Sequence, residues 1–445
     1  MRILHYSLGF PPYRTGGLTK FTMDLMRQQV KDGHIVTLLW PGEMHFIGKN
    51  TAVKYKGNVD GIHSYEVINP VPISYDEGII DTTVFMELGN ADVYEKFLME
   101  LKPDIIHIHT LMGFHKNLLI VAKKLNIKTC FSVHDFFPIC PKVTMYRNSK
   151  LCDTITDCSM CNICNKTALS ISKIRILQSP IYRVLKNTHI VKLLRKGHRD
   201  NFLGENVSDY DKGDTSFESR NYIKLREFYK SVISNMDMIH YNSTITKNVY
   251  EKYMGVYKSF VISISHGDIK DNRKRRKYND FLKLSYLGPY GGGKGFFYLK
   301  AALDELLNSN NNIILNVFFE RNDLPPYIKT HKRYSYNQLS TIFNDTDALV
   351  VPSIWYETFG YTVIEALSFA VPVIISSNVG AKDVLPKGAG IIYNANSKEE
   401  LKNAICSLTK ERLRDMNATI CDSYNIMTLK DMAEQIYEMY RKMIY

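Results

Sequence analysis

Short apolar runs alternate with amphipathic helical stretches from residue 2 to residue 265, and the alternation restarts at residue 282. This restricts the fold more than any other property of the chain, because strands that each feed a helix build parallel sheets covered by helices on both faces. In the first series, strands are predicted at 2–7, 35–40, 104–109, 128–134, 238–242 and 260–265. Helices are predicted at 93–101, 117–125, 222–235 and 245–253, with another running through Phe21, Leu25, Met26 and Val30. In the second series, strands at 282–287, 313–319, 347–352 and 370–376 alternate with helices at 296–307, 338–343 and from about Val363. A chain of 445 residues is too long for one ordinary core. Two doubly wound α/β domains facing a cleft are expected, at 1–268 and 269–424, with 425–445 as a helix packing back on the first.

Ligands of open α/β sheets bind at the carboxyl edge of the strands. Three loops at predicted strand ends carry the residues such ligands need. The first ends in Gly16-Gly17 ahead of a helix; the alternative reading of that pair is a plain turn. The second, Gly288-Pro-Tyr-Gly-Gly-Gly-Lys-Gly295, sets Lys294 in a glycine cradle ahead of a helix. It is not a Walker loop, because no Ser or Thr follows Lys294. The third holds Glu357 and Glu365 on either side of Phe359-Gly360-Tyr361-Thr362. Helix amides attract phosphate, and the two carboxylates can accept hydroxyl protons. A phosphate flanked by hydroxyls describes a sugar nucleotide.

His107, His109 and His134 fall near strand ends; a lone histidine there is more often a packing residue, but His134-Asp135 ends its strand and leads directly into a cysteine-rich insert, 138–166. Five of the eight cysteines, Cys140, Cys152, Cys158, Cys161 and Cys164, crowd into that insert. Their spacing suits a closed structural zinc site of Cys140, Cys152, Cys161 and Cys164 with Cys158 spare, an iron–sulfur cluster being the alternative and a metal-free reduced loop the plainer one.

The net charge of +12 predicts attraction to a polyanion: nucleic acid, an anionic membrane surface or an acidic polysaccharide. Residues 166–199 carry Lys173, Arg175, Arg183, Lys186, Lys192, Arg195, Lys196 and Arg199 among Ile, Leu, Val and Tyr, with no acidic residue. Such a segment binds anionic lipid headgroups, or else forms a solvated helical hairpin. Residues 204–219 read as a flexible acidic loop, and the basic run 270–277 as a solvated or membrane-facing linker. No run of about 18 apolar residues occurs, and the first residues follow a buried-strand pattern and not that of an export signal. A cytoplasmic protein, peripheral on the inner face of the plasma membrane, is expected.

The chain resembles the retaining glycosyltransferases of family 4, nearly end to end. The resemblance is carried by Gly16-Gly17, Lys102-Pro-Asp-Ile-Ile-His-Ile-His109, Val133-His134-Asp135, Asn242-Ser243, Lys294-Gly295 and the Pro-Ser…Glu357…Phe-Gly…Glu365-Ala frame. It implies the GT-B fold of two Rossmann-like domains and a UDP- or GDP-linked sugar donor, with no catalytic divalent metal. By the same resemblance Glu365 binds the donor ribose, Glu357 lies by the donor sugar, and Lys294 with the Gly360 to Thr362 amides holds the diphosphate. Gly16 and Gly17 then face the donor phosphates or acceptor, and His134 lines the sugar pocket. The acceptor would be a glycan or glycolipid of the cell envelope or an exopolysaccharide, and no nucleic acid is expected. Some family members share the cysteine cluster. The chain departs from the family at Pro289 (usually Arg), at His266-Gly267-Asp268 (usually Asn-Gly-x-Asp), in a shortened 319–336 segment, and at Ala370 and Asp383. The rival readings are a nucleic-acid-binding protein with a metal insert, and a GT-B epimerase or phosphorylase.

Overall fold

A computed structural model describes the whole chain except residues 12–13, 49, 75, 153, 186–187, 189–215 and 308–311. The first sheet has eight strands, ordered Ser259–Val261, Met238–Tyr241, Lys128–Val133, Ile105–Ile108, Arg2–Tyr6, Ile35–Pro41, Ile62–Ile68 and Ala52–Val59. All neighbours are parallel except the last pair, an antiparallel hairpin at the edge. The second sheet is wholly parallel, ordered Ile328–Thr330, Ile313–Val317, Leu282–Tyr286, Ala348–Val351, Val373–Ser376 and Gly390–Tyr393. The order reverses beside Arg2–Tyr6 and beside Leu282–Tyr286, so the loops following these strands open at the crevices where doubly wound sheets bind ligands.

The central strands are buried on both faces (Ile105, Ile106 and Ile108; Val373, Ile374 and Ile375), and helices cover them. The helix Gly17–Lys31 buries Phe21, Leu25 and Met26, and the helix Tyr361–Ser368 buries Val363, Ile364, Ala366 and Leu367. One apolar cluster joins the two, running from Ile3, Phe21 and Leu25 through Phe359 and Val363 to Ile436 and Tyr440 on the terminal helix Leu429–Ile444. Tyr440 reaches the first sheet itself, its hydroxyl 2.5 Å from His107 Nδ1.

Several elements differ from the sequence expectation. The hairpin 52–68 has a half-exposed outer strand whose polar residues hide the period-2 signal. Strand Ser259–Val261 ends earlier than expected, and the helix Ser216–Ile233 begins where an acidic loop is predicted; the rest of that loop lies outside the described residues, as do Lys186, Lys192, Arg195, Lys196 and Arg199. The basic run 270–277 is largely exposed, but Arg273 and Arg276 are half-buried. Arg273 donates to the carbonyls of Ile420, Cys421 and Tyr424, Arg276 to those of Phe343 and Thr346, and Arg275 pairs with Asp422. These arginines fasten the linker to the second domain. Among the described residues no helix is long and apolar enough to cross a membrane.

Candidate active site

The site lies where the carboxyl edges of the two sheets face each other. Two helix N-termini meet there. Gly16 (φ 110°) precedes the helix Gly17–Lys31 and Gly360 (φ 101°) precedes Tyr361–Ser368; no side chain caps either among the described residues. A Cβ added to Gly17 would lie 3.6 Å from the Tyr361 ring, so the two termini are adjacent across the cleft. Amides left unpaired at such ends, with the helix dipoles behind them, favour an anion.

Lys294 enters the same space from its glycine loop. Gly295 (φ +80°) lies against Pro352, where any Cβ would sit 1.8 Å from the Pro352 carbonyl oxygen; this close approach holds Lys294 beside the third loop. The Lys294 ammonium pairs with Glu357 Oε2, which also accepts from the Trp355 indole at 3.4 Å. The Glu357 loop is braced from behind: Glu357 N donates to the Asn378 carbonyl (2.9 Å), Gly380 N to that of Glu357 (3.0 Å) and Ala381 N to that of Phe359 (2.7 Å). Phe359 is buried, and Thr362 opens the helix after Tyr361.

Glu365 is only 2% exposed. Its Oε1 lies 3.1 Å from His266 Nε2, and Oε2 has no partner among the described residues. A buried carboxylate oxygen left unpaired costs on the order of 1–3 kcal/mol, which a hydroxyl donor from a ligand would relieve. His266 packs against the rings of Tyr336 and Tyr361, at 5.3 and 5.0 Å. Lys20 of the first domain pairs with Asp24 (3.1 Å) and Asp268 (2.6 Å) and lies 4.5 Å from the centre of the Tyr336 ring.

From the first domain, His134 stands at the end of its strand, its carbonyl accepting from Thr358 Oγ1 at 3.3 Å. Burial lowers its imidazole to about 3, with the His240 charge adding to the effect. The adjoining Asp135 is raised to about 6 by burial. The structure thus brings together Gly16, Gly17, His134, Lys294, Glu357, Phe359, Gly360, Tyr361, Thr362 and Glu365 around one cleft. Sequence reasoning missed His266, Lys20 and Trp355. His266 was legible only as a departure from a family pattern, and Trp355 as one of two tryptophans in the chain.

The cysteine insert leans on this site: Tyr146 of its small hairpin lies 6.0 Å from the Trp355 ring, and its hydroxyl would be 2.8 Å from a Cβ on Gly292. Its sulfurs are neighbours but do not converge. Burial raises Cys140 to about 12, with Cys164 and Cys152 contributing, whereas Cys158 is lowered to about 7 by its bond to Cys161 and by Arg226, whose Nη2 lies 3.0 Å from the sulfur. Among the described residues the one trio of ligand atoms within 4.8 Å of one another is instead His5, His107 and His109.

The fold agrees with known proteins. Residues 15–157 match the model of Glycosyltransferase Family 4, and residues 268–423 that of Glycosyl transferases group 1. A Klebsiella pneumoniae protein described as "Uncharacterized 42.6 kDa protein in cps region" is 21% identical over 407 residues, covering 88% of this chain and 89% of that protein. Sucrose-phosphate synthase from Thermosynechococcus elongatus superposes with a TM-score of 0.60 at 13% identity, covering 99% of this chain and 98% of that one. Alr3699/HepE of Anabaena, in complex with UDP and glucose, superposes with a TM-score of 0.54 at 12% identity, covering 99% of each. The chain therefore carries a family 4 glycosyltransferase domain followed by a group 1 glycosyl transferase domain, on a GT-B fold.

Proposed function

We propose that the protein transfers a sugar, with retention, from a UDP- or GDP-linked donor to a lipid-linked or polysaccharide acceptor in envelope or exopolysaccharide synthesis. The carrying observation is the convergence of Lys294, two uncapped helix N-termini and the half-satisfied Glu365 on one cleft. Donor phosphate takes Lys294 from Glu357, freeing that carboxylate for the donor sugar, while Glu365 Oε2 accepts a ribose hydroxyl. Negative charge that grows on the departing diphosphate is met by Lys294 and the Tyr361 and Thr362 amides, preorganised donors in a half-buried site. The acceptor attacks on the face from which the diphosphate leaves, and its proton passes to the leaving oxygen, so the configuration is kept without a dedicated base. UDP bound by Alr3699/HepE and the cps origin of the Klebsiella relative support the donor and product classes. The test is product analysis by NMR after incubation with nucleotide sugars and lipid acceptors: an α-linked product from an α-configured donor supports retention, a β-linked one refutes it.

The acceptor side carries features of a membrane-facing surface. Ile47 (92% exposed), Phe46, Ile181 and Val184 (79%) stand out, and Lys173 of the neighbouring helix Ile171–Leu177 is exposed as well. The loop and helices that bear them are tied together by Met44 N and the Gln178 carbonyl, 3.0 Å apart. Exposed apolar side chains among cations suit an anionic lipid surface. The same proposal covers the insert: Cys140, Cys152, Cys161 and Cys164, which do not converge on one point, would draw together around a structural zinc, with Cys158, hydrogen-bonded to Cys161 and Arg226, outside the set.

A further inference from the structure

Beneath the first domain's site, seven buried side chains form one continuous hydrogen-bonded chain. His109 Nε2 lies 2.9 Å from His5 Nδ1, and His5 Nε2 lies 2.7 Å from Gln29 Oε1. Gln29 Nε2 donates to Tyr440 Oη (3.4 Å), and Tyr440 Oη lies 2.5 Å from His107 Nδ1. His107 Nε2 lies 2.6 Å from Ser132 Oγ, which lies 2.5 Å from His240 Nδ1; His240 Nε2 ends on the Ile262 carbonyl at 2.8 Å.

The terminal carbonyl only accepts, so every proton in the chain can be assigned backwards from it. His240 donates from Nε2 and accepts at Nδ1, which takes the Ser132 hydroxyl proton. Ser132 then accepts from His107 Nε2, whose Nδ1 takes the Tyr440 proton. The Gln29 amide fits only with its nitrogen toward Tyr440, and its oxygen therefore takes a proton from His5 Nε2. His5 Nδ1 accepts from His109 Nε2. All four rings are neutral, as burial dictates: His5 and His240 are lowered to about 4, His107 and His109 well below their ordinary value. With both nitrogens of His5 and His107 engaged, their lone pairs are committed to this chain and not to a cation.

The polarity fixes the open end. His109 Nδ1 is a buried lone pair, and next to it, with ring centres 5.7 Å apart, stands His134, whose buried Nε2 also has no partner among the described residues. Two unpartnered buried polar atoms on neighbouring rings supply the minimum of two partners that a buried water requires. We infer that His109, His5, Gln29, Tyr440, His107, Ser132 and His240 are positioning residues that set the tautomer of His134. A bridging water gives its proton to His109 Nδ1 and takes one from His134 Nε2. His134 is then held with its proton on Nε2 and its lone pair on Nδ1, the nitrogen left to accept a ligand hydroxyl in the cleft. The consequence for transfer rests on the proposed place of His134 at the donor sugar; the tautomer does not. Tyr440 brings the terminal helix into the arrangement, so that helix helps to order a residue on the first domain's side of the cleft.

The experiment is 1H–15N correlation spectroscopy of the full-length protein labelled at histidine, with His134→Gln identifying the signal. The expected pattern for His134 at pH 7 is a protonated Nε2 and an unprotonated Nδ1. Tyr440→Phe removes the donor to His107, and Ser132→Ala cuts the chain nearer its fixed end. Either should turn the His134 signal into a mixture of tautomers and lower kcat/KM about tenfold, the scale of one hydrogen bond. A proton on Nδ1 in the wild type overturns the inference, and so does a tautomer unchanged in whichever variants fold. Unchanged kcat/KM with the expected tautomer change would instead remove His134 from the transfer step while leaving the tautomer assignment intact.

Discussion

His266 Nε2 lies 3.1 Å from Glu365 Oε1, both side chains being almost wholly buried. The contact fixes one carboxylate oxygen and leaves the other for a ligand. Glu365→Ala should therefore lose ~100-fold or more in transfer rate, since it removes a charged acceptor from a water-poor site. His266→Ala should act in the same direction but less, by releasing Glu365 to other rotamers. Steady-state kinetics with a saturating acceptor reads both; wild-type rates in Glu365→Ala would remove this residue from the site.

Lys294 and Glu357 form an ion pair, and on the proposed reading a donor phosphate at Lys294 competes with that carboxylate. Lys294→Ala should lose ~100-fold or more in kcat/KM, because the leaving phosphate loses its cation. Glu357→Gln should behave differently: with Lys294 no longer engaged, free nucleoside diphosphate should bind more tightly while kcat falls. Calorimetric titration of the two variants separates these outcomes.

Acid stability should follow the buried histidines. His5, His115 and His240 are lowered to about 4 and His134 to about 3, with burial as the main cause in each. A group whose folded value is depressed takes up protons more readily in the unfolded chain, so the stability it contributes is lost as pH falls from about 6.5 toward 4. A fully buried ring lowered to about 4 would cost roughly 3 kcal/mol of stability as pH falls from 7 to 4. Melting temperature should therefore drop steeply between pH 6.5 and 4, and His240→Gln should flatten the curve. A flat profile for the wild type would contradict the burial of these rings.

The cysteine insert yields a prediction of metal content. Protein purified without oxygen exposure should hold about one zinc per chain, and Cys161→Ser should release it and lower the melting temperature. Cys158→Ser should retain the metal, since the proposed ligand set leaves that sulfur, hydrogen-bonded to Cys161 and Arg226, outside it. Less than about a tenth of an equivalent of zinc or iron in the wild type would refute the metal reading and leave the insert as a reduced loop.

The parallel core was legible because strands such as 105–108 and 373–376 are short, mostly apolar runs between helical patterns. The edge hairpin 52–68 was not, since its outer strand faces solvent and carries lysines. The glycine loops and the glutamate pair could be read because their chemistry is local. His266 and Tyr440 could not: each acts on a residue 99 or 333 positions away, and only the folded chain brings them together. The anchoring by Arg273 and Arg276 within the exposed run 270–277 was hidden for the same reason, as their carbonyl partners lie up to 151 residues distant.

Donor binding tests the central claim most directly. A nucleotide sugar held by Lys294, Glu365 and the helix amides stabilises the protein by RT ln(1 + [L]/Kd), about 2.7 kcal/mol at a hundredfold excess over Kd, which is several degrees in melting temperature. A thermal-shift panel of UDP-, GDP- and ADP-sugars should give such a shift with one base in the wild type and a much smaller one in Lys294→Ala and Glu365→Ala. No shift with any of them at millimolar concentration, or equal shifts in wild type and variants, would contradict the account.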